Sequence, residues 1–205
     1  MIEKKITIKT RVSDAGKKKG AKVGKLTFTG IKFQDTDKNS FKQLFQSWKL
    51  FKEAGKFVEQ RANIPEGLTE GIVAKDIEGI YRKGKKYQKE SKYPTTKFDC
   101  YCSIEDKIVE VKACSVPNDL TSWSPKPYFD VLYFVDFSSM DGKYHIYKIN
   151  TTDSEIKKET VTAGGQTFQQ QINSNRRPRF SVFEKYIYSK YKCSGKPIYS
   201  GNLYT

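Results

Sequence analysis

The strongest constraint on this chain is a pair of short apolar runs, each carrying acids at fixed spacing. Lys97-Phe98-Asp99 precedes Ile108-Val109-Glu110-Val111-Lys112, and the tripeptide Glu105-Asp106-Lys107 between them suits a turn. A strand alternates its side chains between faces, so Glu110 and Lys112 share one face and Val109 and Val111 the other. A hairpin here carries Asp99 alongside that acid-x-lysine triplet. Two carboxylates and an amine on one strand edge can hold a divalent metal and position a water, the minimum equipment for phosphodiester hydrolysis. The competing reading is an exposed Glu/Lys pair on an ordinary hairpin.

The rest of the chain gives this hairpin a setting. Residues 2–33 alternate twice, at Ile2–Val12 and Leu26–Phe33, around Lys17-Lys18-Lys19-Gly20, and predict an N-terminal hairpin within residues 1–35. Phe41, Leu44, Phe45, Trp48 and Phe51 fall at helical spacing over residues 40–55, with Gly55 as the stop. Asn63-Ile64-Pro65 opens a second helix, Pro65 suiting its first turn, with Leu68, Ile72, Val73, Ile77 and Ile80 as its apolar arc. Glu66 and Glu70 lie on or beside that arc. An acid at the margin of a buried face needs a partner, so either could point toward the hairpin, or both could be first-turn carboxylates favoured by the helix dipole. Strands resume at Tyr128–Phe137 and Tyr144–Ile149, joined through Met140-Asp141-Gly142.

Charge indicates a polyanionic partner. The 205 residues carry a formal net charge of +15, mostly from lysine, as expected of a chain that neutralises phosphates and releases counterions. The connector from Arg82 to Lys97 holds seven basic residues and one acid, with Tyr87 and Tyr93 interleaved, and is placed to follow a phosphate backbone. A polar run follows the catalytic triplet: Ser115, Asn118, Thr121, Ser122, Ser124 and Lys126. Further on, Gln170 and Gln171 precede Arg176-Arg177-Pro178-Arg179, which holds half of the chain's six arginines. Arginine forks suit guanine edges and phosphates, and Asn or Gln suit adenine. Solvated salt bridges are the alternative, but acids are scarce there.

Several classes are disfavoured. With 37% hydrophobic and 14% aromatic residues, one core is affordable, and 205 residues fit one domain. No run reaches membrane-span length and the start lacks a secretory apolar region, so a cytoplasmic protein is expected. Cys100, Cys102, Cys114 and Cys193 lack paired zinc spacing and read as packing residues. His145 stands alone, which disfavours histidine-based nucleases. Gly79-Ile80-Tyr81 lies at a helix end without a Tyr-Ile-Gly partner.

Asp99, Glu110-Val111-Lys112 and the acid-bearing helix before them resemble the Pro-Asp…Asp/Glu-x-Lys, or PD-(D/E)XK, nuclease superfamily. More closely, the chain resembles bacterial type II restriction endonucleases. The resemblance is carried by Asn63-Ile64-Pro65-Glu66-Gly67-Leu68-Thr69-Glu70, by Thr121-Ser122-Trp123-Ser124-Pro125-Lys126 with Phe129–Phe134, and by Gln170-Gln171 with Arg176–Ser181. The family's proline before the acid is absent; Phe98 precedes Asp99 and Pro94 lies five residues earlier. The resemblance implies an α/β fold, a central mixed β-sheet flanked by α-helices. It implies one endonuclease domain over 1–205, with its catalytic core in 40–150 and a DNA-reading segment in 160–182. It further implies Mg2+ held by Asp99, Glu110 and the Val111 carbonyl, Lys112 at the attacking water and phosphate, and Glu70 as the helix-borne acid. Double-stranded DNA would be cut at a short site by a homodimer, or by a heterodimer with a related subunit. A structure-selective nuclease of the same superfamily and a non-catalytic DNA-binding module are the alternatives.

Overall fold

The computed structural model describes residues 1–9, 25–59, 62–84, 98–125 and 127–205. The Lys17–Gly20 turn, the connector from Lys85 to Lys97 with Pro94, and Lys126 lie outside the described residues.

Strands β1 (Ile2–Lys9) and β2 (Lys25–Lys32) pair antiparallel from Ile2↔Lys32 to Lys9↔Lys25, as the N-terminal alternation predicts. Helix α1 (Lys38–Phe57) runs two residues past Gly55, which is buried within its last turn, and stops where Glu59 takes a positive φ of 54°. Only Phe41, Phe45 and Trp48 of its expected arc face the core; Leu44 and Phe51 are exposed. Helix α2 (Glu66–Asp76) begins one residue after Pro65, and every residue from Leu68 to Ala74 is buried.

The sequence reading errs just beyond α2. Ile77 and Ile80 are not helical: Ile77 is extended, Gly79 turns at φ +71°, and Ile80 opens a strand, β3 (Ile80–Lys83). Arg82 and Lys83 therefore belong to the sheet and not to a loop, and Gly79-Ile80-Tyr81 is a turn running into a strand. Lys32 Nζ donates at 2.7 Å to the Ile77 carbonyl, which also accepts the Ile80 N–H, a cation at the negative helix end.

The predicted catalytic hairpin forms from β4 (Cys100–Cys102) and β5 (Lys107–Cys114), in register Cys100↔Val109. Next come β6 (Leu120–Ser122), β7 (Val131–Asp136) and β8 (Lys143–Ile149), then short helices α3 (Asp153–Ile156) and α4 (Phe168–Asn173). Strand β9 (Arg179–Ser181), a π-helical segment at Phe183–Tyr188 and β10 (Tyr199–Asn202) complete the chain. The main sheet has the order β1-β2-β3-β4-β5-β7-β8-β10, and β6 and β9 form a separate two-stranded ribbon. Among the described residues all strand pairings are antiparallel except β5 with β7, so the sheet is mixed. Parallel neighbours need a crossover, and the excursion through β6 supplies it.

Both faces are covered. Phe41, Phe45, Leu68, Ile72 and Val73 of α1 and α2 pack on Cys100, Cys102, Val109, Val111 and Val131. On the opposite face Ile108, Leu132, Phe134 and Tyr147 meet Trp123, Phe168, Phe180, Phe183 and Tyr186 from the ribbon and C-terminal segments. The cysteines are free: Cys100 and Cys102 lie under α2, Cys114 lies in the other core, and Cys193 is half-buried, its Sγ donating to the Tyr186 carbonyl. None of the described helices is long and apolar enough to cross a membrane.

Candidate active site

Asp99 sits one residue before β4, where the pairing with β5 ends. There its Oδ2 accepts the Val111 N–H at 2.8 Å, taking the place a continued strand would fill. Glu110 and Lys112 project from the face of β5 that also carries Ile108 and Cys114, and Lys112 Nζ is 2.5 Å from Glu110 Oε1. Glu110 is buried and Lys112 half-buried. The hairpin thus brings Asp99, Glu110 and Lys112 together as the spacing predicts.

The third acid comes from α2. Glu70 is buried, and its Oε2 accepts a 2.6 Å hydrogen bond from Arg82 Nε. Arg82 was expected in a phosphate-following loop. The register Arg82↔Cys100 instead aims it at the helix, with its guanidinium beside Gly67. Glu66, one turn earlier, is exposed. Both charges act on the site: Glu66 on Lys112 and Glu70, and Glu70 on Asp99.

Burial and crowding set the protonation states. Burial, reinforced by the Glu110 charge, pushes the Asp99 carboxyl up to about 8. Burial likewise raises Glu70 despite the Arg82 guanidinium. Burial alone would lower Lys112, but Glu110 and Asp99 outweigh it and the ammonium is held above its ordinary value. Lys83 is lowered by burial; its Nζ lies 4.6 Å from the centre of the Phe98 ring. Acids that resist ionisation together are acids that a cation would relieve. The donor set is hard oxygen, which fits a Mg2+-sized ion. Among the described residues no three His, Cys, Asp or Glu side chains converge on one point. Such an ion would therefore need a main-chain carbonyl and waters to complete its shell.

The polar residues after β5 are placed variously. Ser115 Oγ accepts from Lys52 Nζ of α1 at 3.0 Å, and exposed Asn118 turns the chain at φ +60°. Thr121 and Ser122 lie in β6 with buried hydroxyls that have no hydrogen-bond partner among the described residues. Ser124 is half-buried just past the ribbon strand. Gln170 caps its own helix, its Oε1 accepting the Thr167 N–H at 2.7 Å, and Gln171 is buried with its Nε2 on Gln166 Oε1. Arg176, Arg177 and Arg179 are exposed, and Arg177 Nε donates to the Trp123 carbonyl at 3.0 Å. The β6–β9 pairing, with Ser122 opposite Arg179, thus joins the two candidate readers into one ribbon.

Sequence reasoning missed Arg82 and Trp123. Trp123 is fully buried, with Lys112 Nζ 5.6 Å from its ring centroid. For Arg82 the available signal was Gly79, a turn residue that separates the helix from a new strand.

Comparison with known proteins gives the family. The family model for the Bsp6I restriction endonuclease matches residues 33–189, a span containing Glu70, Asp99, Glu110, Lys112 and the arginine segment but not the N-terminal hairpin. The type II restriction enzyme Bsp6I of Bacillus sp. (strain RFL6) is 28% identical over 157 residues, covering 74% of this chain and 83% of that protein. No solved structure matches the chain. With the family model matching well over half of its length, the chain belongs to the Bsp6I restriction endonuclease family and is a type II restriction enzyme.

Proposed function

We propose that this enzyme carries a PD-(D/E)XK catalytic core within a single domain and uses Mg2+ to hydrolyse double-stranded DNA at a short specific site, leaving 5′-phosphates. The observation that carries the reading is the meeting of Asp99, Glu110 and Lys112 at the end of the β4–β5 pairing. Asp99 and Glu110 would hold the ion. The Val111 carbonyl joins them, since the N–H and C=O of one strand residue face the same edge and its N–H already faces Asp99. Bound there, the ion would polarise the scissile phosphate and acidify the attacking water.

The side chains do the remaining work. Glu110 fixes the Lys112 ammonium, whose charge stabilises the negative charge that develops on the phosphate. Arg82 anchors the buried Glu70, whose charge acts on Asp99 and would help attract the cation. Arg176, Arg177 and Arg179, with Asn118 and the loop after β6, form the DNA-reading surface, each bidentate base contact being worth roughly 1–3 kcal/mol of discrimination. A palindromic site calls for a twofold homodimer, and an asymmetric one for pairing with a related subunit. The setting is the bacterial cytoplasm, where such an enzyme guards against foreign DNA.

Digestion of unmethylated phage DNA with Mg2+, beside the same reaction in EDTA, tests the proposal. A discrete, metal-dependent band pattern is expected, and sequencing the ends yields the site. Asp99→Ala and Lys112→Ala should abolish cutting while leaving a folded protein that binds DNA. Full activity in either variant would remove the catalytic assignment.

A further inference from the structure

Trp123 lies where the ribbon meets the active-site face. Its indole stacks on Phe180 of β9, with centroids 5.2 Å apart and planes 10° from parallel, and it packs edge-on to Phe168 and tilted against Phe129. Lys112 Nζ lies 5.6 Å from the centroid of the same ring. The main chain of Trp123 is clamped by the arginine segment. Its N–H donates to the Pro178 carbonyl at 3.1 Å, and its carbonyl accepts from Arg177 Nε at 3.0 Å. The buried indole N–H has no partner among the described residues, so stacking and these backbone clamps set the ring's position.

We propose that Trp123 is a positioning residue that couples base reading by the Arg176–Arg179 ribbon to cleavage, by fixing the Lys112 ammonium with the ring that the ribbon holds. The claim rests on Lys112 acting at the phosphate as described above. A lysine stem is flexible, and one carboxylate fixes its head in one direction only. The indole face supplies a second, attractive wall and blocks other rotamers. The closest ring stacking, from Phe180, and both main-chain clamps, from Pro178 and Arg177, belong to the segment carrying the candidate base-reading arginines, while Phe168 and Phe129 close the ring's other sides. A ribbon seated on its cognate bases thus presents the ring squarely. A ribbon seated on a wrong site displaces the ring, and misplacing a catalytic group by an ångström can cost about a hundredfold in rate.

The test uses a duplex built on the site mapped from the wild-type enzyme's own cut ends. Steady-state kcat and KM are measured in Mg2+ for Trp123→Phe, Arg177→Ala and the double variant. Trp123→Phe loses no hydrogen bond and should lower kcat about 5–50-fold with KM within about threefold, the signature of a misplaced catalytic group and not of weakened binding. Arg177→Ala should lower kcat as well as relax selectivity, and the double variant should be no slower than the slower single one, because both act through one contact chain. Phe180→Leu removes the stacking partner without touching Lys112. It should give the same kcat loss, and it carries the test if Trp123→Phe fails to fold. A wild-type kcat in Trp123→Phe, or losses that multiply in the double variant, overturns the coupling while an inactive Lys112→Ala leaves the nuclease reading intact. Activity in Lys112→Ala would instead remove the reading itself.

Discussion

Asp99 shows how a functional group can work against the fold that holds it. Its pKa rises from 3.8 to about 8 through burial and the neighbouring Glu110, so the folded state binds its proton more tightly than the unfolded state does. The resulting stability is complete below the unfolded value and is lost as pH climbs through the folded one. Asp99→Asn keeps an acceptor for the Val111 N–H and removes the charge. In EDTA at pH 8 it should melt above the wild type by roughly 2–10 °C, taking about 1–3 kcal/mol at this domain size. The gap should shrink as pH falls toward 4. Calorimetry of both proteins across that range checks it, and a gap independent of pH would exclude the linkage. The Arg82–Glu70 pair behaves conversely, since each side chain keeps the other satisfied. Arg82→Met should cost about 1–3 kcal/mol, and Glu70→Gln in that background should recover part of it, as urea titration of the cycle would show. The Asp99, Glu110 and Lys112 spacing was legible in the sequence because it is local to one hairpin. The Arg82–Glu70 pair was not, because it depends on the register between β3 and β4, two strands whose linking residues are read most simply as a loop.

At the scale of elements, α2 decides how closely the helical layer seats on the sheet. A Cβ at Gly71 would come within 2.5 Å of the Phe41 ring of α1, which is itself packed edge-on to Phe33. Helix propensity favours alanine there by about 1 kcal/mol, but the ring is boxed in and overlap dominates. Gly71→Ala should therefore destabilise the protein by about 1–3 kcal/mol, read as a lower denaturation midpoint; a stabilised variant would mean the helices part freely. Patterning revealed the β1–β2 hairpin, both long helices and the β7–β8 pair, where one face is polar or the turn is marked by glycine. It overran the end of α2, because Ile77 and Ile80 continue the apolar period while the backbone turns at Gly79. The parallel β5–β7 pairing was also hidden. Val131–Asp136 is buried throughout, and a strand covered on both faces carries no alternation to read.

For the molecule as a whole, the net charge of +15 understates the surface. Glu70, Glu110 and Asp136 are buried among the carboxylates, so part of the acidic complement is withdrawn while the arginines of the ribbon stay exposed. The two-sided architecture places the carboxylates between a helical layer that supports them and a ribbon that faces outward with Arg176 and Arg179. Binding energy drawn from phosphates must then depend on salt. For 6–10 phosphate contacts, duplex affinity in EDTA should fall about 10³–10⁵-fold between 50 and 200 mM salt. If Arg176 and Arg179 touch phosphates, replacing each with alanine should reduce the slope of log K against log salt by about one. If they read bases, the slope should hold while site preference relaxes. Fluorescence anisotropy on a random duplex and on the mapped site separates the two. A nearly salt-independent affinity would assign the excess lysines to solubility and leave recognition to the ribbon alone.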